Sequence, residues 1–255
     1  MADHSFEFTR AITRRPARSV VDGLRAEDHG TPDFDQMLKD HAHYVATLRE
    51  TGAEIIELPA LDEFPDAVFV EDDALCLKNC AILMRLGAVS RMGEVVMVAP
   101  AIRAQYDDVF EITGPGFIEG GDILTTSREI LIGKSARTDA AGIEELRAIV
   151  EPRGYGIREV YTPPDVLHFK TDCSLLDGNT ILSTKRLDAS GCFEGYRVLH
   201  TADGEEAAAN AIRLTNLSLW LPTSPKPLKC FGKTGIKSVR STIRNVPKLM
   251  VGCPA

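Results

Sequence analysis

The chain has 255 residues, 44% of them hydrophobic and 26% charged, a balance that suits a soluble globular protein with a core of substantial size. Its 37 acidic against 29 basic side chains give a net charge of −8, which argues against a general nucleic-acid binder, because that needs basic surface to displace counterions. No apolar run approaches the roughly 20 residues that span a bilayer, and the opening Met1-Ala2-Asp3-His4-Ser5 lacks the basic-then-apolar order of a signal peptide.

The expectation is therefore a cytoplasmic enzyme or binding domain with reduced cysteines. The cysteines stand at 76, 80, 173, 192, 230 and 253, and no Cys/His pair with zinc-ligand spacing accompanies Cys76 and Cys80. His41 and His43, the only close histidines, would point to different faces of a helix. No metal and no cofactor is expected.

Read by hydrophobic period, the chain alternates strands and helices. A strand is predicted over 6–13, then a helix over 32–49 with Asp33 near its start and Gly52 just past its end, then a strand over 53–58. Residues 67–85 read as two strands around the polar turn Lys78-Asn79, and 92–106 as a weaker helix. Strands over 117–125 and 129–133 precede a helix over 138–150 and a strand over 159–161. Residues 166–176 and 180–183 pair around Asp177-Gly178-Asn179. A short helix over 205–211 and a strand over 214–221 follow.

Three of these hairpins look alike. They begin Val68-Phe69-Val70-Glu71-Asp72, Phe117-Ile118-Glu119-Gly120-Gly121-Asp122 and Leu167-His168-Phe169-Lys170-Thr171-Asp172, and Glu71, Glu119 and His168 follow one another at intervals of 48 and 49 residues. A strand-strand-helix-strand unit of that length fits five times into the chain, and a ring of such units would bring the polar hairpin ends together. Isolated carboxylates at strand ends usually face solvent. Glu71, Asp72, Glu119, Asp122 and His168, recurring at one period, point instead to a pocket. Clustered carboxylates repel one another unless a cation neutralises them. A planar guanidinium, with five N–H donors in a fork that matches carboxylates, is the better candidate than a metal. Arg91 and Arg137 follow the second strand of the first two hairpins and could hold an anionic end of the same ligand, although a lone arginine is more often a solvated surface residue.

The stretch Phe64-Pro65-Asp66-Ala67-Val68-Phe69-Val70-Glu71-Asp72 resembles the dimethylarginine dimethylaminohydrolase family. So do Glu119-Gly120-Gly121-Asp122, Ser135-Ala136-Arg137-Thr138 and Val166-Leu167-His168-Phe169-Lys170-Thr171, with Arg15-Pro16-Ala17-Arg18-Ser19 and Asp22-Gly23-Leu24 near the amino terminus. The resemblance runs in order from about residue 8 to about residue 222. It implies the α/β pentein fold, five pseudo-symmetric strand-strand-helix-strand units in a propeller, filling residues 1–222. It also implies a reaction: hydrolysis of Nω-methylated arginine to citrulline and a methylamine, with no cofactor, through a thiouronium intermediate on a cysteine. His168 would act as acid and base, with Glu119 orienting it. Asp72 would hold the guanidinium nitrogens, with Glu71 close by. Arg91 and Arg137 would pair with the substrate carboxylate, and Asp66 and the backbone of Leu24 would line the amino-acid end. The partner implied is a small methylated arginine, with neither nucleic acid nor membrane, acting on a monomer or homodimer.

The last stretch departs from the family, whose nucleophile follows a Gly-Gly turn close to the carboxyl terminus. Residues 223–255 hold seven basic side chains and no acidic one, against 22 basic and 37 acidic in the rest, and the hydrophobic period fades. Cys253 stands in about the right place without the family's context. With free codon choice, back-translating 224–255 and reading each codon from the last base of one codon plus two bases of the next can spell a mixed-charge tail ending Gly-Gly-Leu-Ser-Cys. The expectation is a reading-frame shift near Pro222 or Thr223, an incomplete fifth unit and Cys253 as no more than a formal nucleophile. Two alternatives stand beside the methylarginine hydrolase: an arginine deiminase, whose family is longer and usually carries an extra helical domain, and an inactive amino-acid-binding remnant.

Overall fold

The computed structural model describes residues 8–24, 31–214, 217–220 and 237–240. Its strands form five small sheets. In the first, β1 (Arg10–Arg14) and β2 (Glu54–Leu58) pair in parallel, joined by helix α1 (Phe34–Glu50). The next three share one plan: an antiparallel hairpin, a helix, and a third strand parallel to the second. They are β3 (Ala74–Cys76), β4 (Ala81–Leu83), α2 (Glu94–Arg103) and β5 (Val109–Glu111); β6 (Ile123–Thr125), β7 (Ile130–Lys134), α3 (Ala140–Val150) and β8 (Ile157–Tyr161); and β9 (Cys173–Asp177), β10 (Thr180–Ser183), the short α4 (Lys185–Asp188) and β11 (Arg197–His200). The fifth sheet joins β12 (Ala211–Leu214), β13 (Leu217–Trp220) and β14 (Lys237–Arg240).

Helix α1 starts at Phe34, two residues after the predicted 32, because Asp33 caps it. The Asp33 carboxylate accepts the Gln36 N–H at 3.0 Å, an N-cap of the kind worth about 1 kcal/mol. Gly52, at φ 90°, carries the chain out in a left-handed conformation that a side chain would strain. Met37, His41, Tyr44, Val45 and Leu48 form the buried face, whereas His43 is exposed. Helix α3 likewise buries Ile143, Leu146 and Val150 against Ile82, Ile118, Ile130 and Ile132. Each such side chain contributes roughly 1.5–3 kcal/mol on leaving water. The α3 cluster joins the hairpin β6–β7, through Ile123, Ile130 and Ile132, to β4 of the preceding hairpin, through Ile82.

Three expectations need correction. Residues 68–72 form turns instead of a strand, because the Asp72 N–H returns to the Phe69 carbonyl at 3.1 Å. The fifth unit has its closing strand: Lys237–Arg240 pairs in parallel with Leu217–Trp220, using backbone groups that any proline-free stretch supplies. Cys76 is disulfide-bonded instead of reduced, while Cys80, Cys173 and Cys192 are free. No helix among the described residues is long and apolar enough to cross a membrane.

Candidate functional site

Three turns precede the hairpins β3–β4, β6–β7 and β9–β10, and they repeat one hydrogen bond. The N–H groups of Asp72, Asp122 and Asp172 return to the carbonyls of Phe69, Glu119 and Phe169 at 3.1, 3.0 and 3.2 Å. The three aspartates are buried and stand at a spacing of 50 residues, a stricter repeat than the 48 and 49 read between the ionisable residues before them. Two of them stitch neighbouring turns together. Asp72 Oδ1 accepts the Gly121 N–H at 3.0 Å, and Asp122 Oδ1 accepts the Phe169 N–H at 2.8 Å. Asp122 Oδ2 also accepts the hydroxyls of Ser135 and Thr138 at 2.6 and 2.7 Å. Asp172 accepts Thr184 Oγ1 at 2.6 Å and Arg186 Nη2 at 2.8 Å. A carboxylate met by several donors is fixed in place. The turns approach so closely that a Cβ on Gly121 would stand 2.7 Å from Asp72 Oδ1 and 2.9 Å from His168 Cγ.

The ends of these turns bring six of the expected side chains together. Glu119 is wholly buried; its Oε1 accepts the Gly87 N–H at 2.9 Å and Arg137 Nη1 at 3.3 Å. Its Oε2 lies 3.4 Å from His168 Nε2 and 3.9 Å from Arg91 Nη1. His168 Nδ1 lies 3.4 Å from Asp122 Oδ2, so the imidazole is flanked by a carboxylate on each side. Arg91 Nη1 donates to Asp72 Oδ2 at 2.7 Å. The opposite edge of the same guanidinium is held by Glu94, with Nε to Oε2 at 3.0 Å and Nη2 to Oε2 at 2.8 Å. Glu94 was not singled out in the sequence, where it reads as an ordinary acidic residue in the first turn of a helix; its spacing of three from Arg91 is the available signal.

Asp72, Glu119 and His168 each offer a donor atom within 4.8 Å of the others, close enough to hold a metal ion. The Arg91 guanidinium already stands against the two carboxylates of that set. Burial pushes the Glu119 carboxyl up, helped by Asp72 and opposed by His168, Arg137 and Arg91. Burial also pushes Glu94 up to about 7 against the pull of Arg91. Arg91, which burial alone would lower, is held above its ordinary value by Asp72 and Glu94 and stays charged. Asp72, Glu94 and Glu119 thus face two guanidinium groups, Arg91 and Arg137, in a buried site.

Two further expected residues meet beside this cluster. The Leu24 N–H donates to both oxygens of Asp66, at 3.0 and 3.2 Å, and the Leu24 side chain is half exposed. Burial raises the Asp66 carboxyl, with the Leu24 N–H acting against it. Glu71, also raised by burial, is paired with Lys170 and so is engaged away from Arg91. Cys253 lies outside the described residues. Burial raises the thiols of Cys80, Cys173 and Cys192, which disfavours the thiolate a nucleophile needs.

Behind the cluster, Asp73 is fully buried and neither of its carboxylate oxygens has a hydrogen-bond partner. Burial, then Glu94, pushes its carboxyl well above the ordinary range. The unfolded chain releases this proton near its usual value of about 4, while the fold retains it, so this group lowers stability as pH rises above that value and up to the folded-state value. Asp73→Asn is expected to remove that loss. Thermal melts should show the variant gaining on the parent as pH rises above about 4, up to the folded-state value; a difference that does not change with pH would contradict the account.

The arginine deiminase family profile matches residues 59–198. The N(G),N(G)-dimethylarginine dimethylaminohydrolase of Pseudomonas aeruginosa is 37% identical over 206 residues, covering 80% of this chain and 81% of that protein. Its namesake from Streptomyces coelicolor is 32% identical over 248 residues, covering 96% of this chain and 93% of that protein. Among solved structures, a dimethylarginine dimethylaminohydrolase His-to-Gly variant, an adduct with S-methyl-L-thiocitrulline, superposes with a TM-score of 0.91 at 32% identity over 96% of this chain and 98% of that one. The Pseudomonas aeruginosa enzyme, as a Cys-to-Ser variant with citrulline, superposes with a TM-score of 0.87 at 33% identity over 92% of each chain. At that level of identity across four fifths of both chains, this protein belongs to the dimethylarginine dimethylaminohydrolase family.

Proposed function

We propose that the protein, given a competent carboxyl-terminal cysteine, hydrolyses Nω-methylated arginine, dimethylarginine above all, to citrulline and a methylamine. The observation that carries this reading is a buried pair of carboxylates, Asp72 and Glu119, already lying against a guanidinium and beside a histidine. A substrate guanidinium between Asp72 and Glu119 would present its carbon to a cysteine thiolate supplied by the carboxyl-terminal segment. Attack forms a C–S bond. His168 donates a proton to the departing amine as the C–N bond breaks, leaving a thiouronium. The same histidine then takes a proton from water, which adds to the thiouronium carbon; loss of the thiolate leaves citrulline. Glu119, against Nε2, orients the ring for both transfers. Arg137 and Arg91 are assigned to the substrate carboxylate, and Asp66 with the backbone of Leu24 to the amino-acid end. The related enzymes solved with citrulline and S-methyl-L-thiocitrulline support the substrate class.

The match to the arginine deiminase profile favours a second reading, in which arginine itself is the substrate. Product analysis separates the two. Dimethylamine released from dimethylarginine, with little ammonia from arginine, supports the first; the reverse pattern assigns the deiminase reaction.

A further inference from the structure

The two carboxylates assigned to the substrate guanidinium are engaged by a guanidinium of the chain itself. Arg91 Nη1 is 2.7 Å from Asp72 Oδ2 and 3.9 Å from Glu119 Oε2. Arg91 is buried, 3% exposed, at the end of the short helical turn Val89–Arg91. Glu94 grips its Nε–Nη2 edge, so the remaining edge projects into the cluster. Two guanidinium groups cannot stack charge on one Asp72 oxygen without strong repulsion in a buried site.

We propose that Arg91 is an internal occupant of the guanidinium subsite, displaced when ligand binds, and that this exchange makes the site select guanidinium compounds that also carry an anionic group. The proposal rests on the guanidine-hydrolase reading and deepens it. Exchange by a bare guanidinium ion takes Asp72 from Arg91 and leaves it with Glu94 alone, so the buried Nη1 edge loses its acceptor. Exchange by an amino acid with a guanidinium side chain brings a carboxylate as well, and the displaced Nη1 edge has a new partner. The α-ammonium that accompanies the carboxylate leaves the amino acid with the same net charge as the bare ion and is met by Asp66, so the difference between the two ligands is the partner supplied to the displaced Nη1 edge. Glu94, which keeps its hold on the other edge, is the pivot and acts as a positioning residue. The movement required is a swing of one guanidinium about that pivot, without rearrangement of the turns stitched by Asp72 and Asp122.

An internal competitor lowers apparent affinity by the fraction of time the subsite is open. If Arg91 fills it nine-tenths of the time or more, its removal should tighten binding of a carboxylate-free cation by about tenfold or more. The test is calorimetric titration of the full chain and of Arg91→Ala with methylguanidinium and with dimethylarginine. Methylguanidinium is expected to bind the parent weakly and the variant at least about tenfold more tightly, while the advantage of dimethylarginine over methylguanidinium shrinks. Methylguanidinium should also raise the melting temperature of the variant more than that of the parent. Because Arg91→Ala leaves Glu94 buried without its partner, Arg91→Ala/Glu94→Gln is measured alongside and should show the same gain. Unchanged or weaker methylguanidinium binding in both folded variants overturns the proposal. If dimethylarginine binds neither parent nor variants while methylguanidinium still gains, the hydrolase reading fails and the internal competitor stands.

Discussion

His168→Ala is expected to lower turnover of dimethylarginine by about 10²–10⁴-fold in a chain with a competent nucleophile, while the ligand still binds. The amine that leaves a thiouronium-forming step is a strongly basic group and departs only as it is protonated. His168 is the one imidazole among the described residues flanked by carboxylates of two turns, at 3.4 Å from Glu119 and 3.4 Å from Asp122. It is not among the groups that grip Arg91, so its removal spares the acidic pair that would hold the guanidinium. Loss should therefore fall on kcat with KM or Kd little changed. The pH–rate profile should lose the limb that belongs to an acid–base group. Wild-type kcat across pH in the alanine variant would make His168 a structural histidine, held between Glu119 and Asp122 for packing alone.

Much of the fold was legible where local signals were long and mutually consistent. Helix α1 carries a cap at Asp33, a buried stripe through Met37, Tyr44 and Leu48, and a left-handed exit at Gly52, all readable from spacing. Strands β5 and β11 were not anticipated. Val109–Glu111 spans three residues and Arg197–His200 four, too few to show a period, and both are specified by parallel partners distant in sequence. The apolar run Val68-Phe69-Val70 has the composition of a strand and is instead a turn, because Asp72 must meet the backbone of Gly121. The repeat itself was visible, but the ionisable residues at 48 and 49 concealed the aspartates at 50 that perform the stitching. In the site, the grouping of Asp72, Glu119, His168, Arg91 and Arg137 followed from the repeat and the family resemblance. Glu94 did not, because burial of a helix-surface acid depends on where the helix docks. Nor did the pairing of Glu71 with Lys170, whose partners come from different turns.

The 255-residue chain as written is expected to be inactive, and the frame-restored chain active. Residues 223–255 carry seven basic side chains and no acidic one, and a shifted frame recovers the ending Gly-Gly-Leu-Ser-Cys. In that frame the nucleophile is encoded across Pro254 and Ala255, two positions after Cys253. A thiolate must stand in a near-attack position on the guanidinium carbon, and misplacement by about 1 Å costs roughly 10²-fold. Two residues of displacement, followed by Pro254, is a larger error than that. The described cysteines offer no substitute, since Cys76 is disulfide-bonded and burial raises the thiols of Cys80, Cys173 and Cys192. Both versions would be expressed and assayed for citrulline formation from dimethylarginine. A thiol-directed substrate analogue, with peptide mapping, would then locate the reactive sulfur. Normal turnover by the chain as written, with the label on Cys253, would establish Cys253 as the nucleophile and remove the case for a shifted frame. Binding of dimethylarginine without turnover by the written chain, and full turnover by the restored one, is the expected pair of results: Asp72 and Glu119, the carboxylates that would recognise the guanidinium, lie upstream of the stretch where the two versions differ.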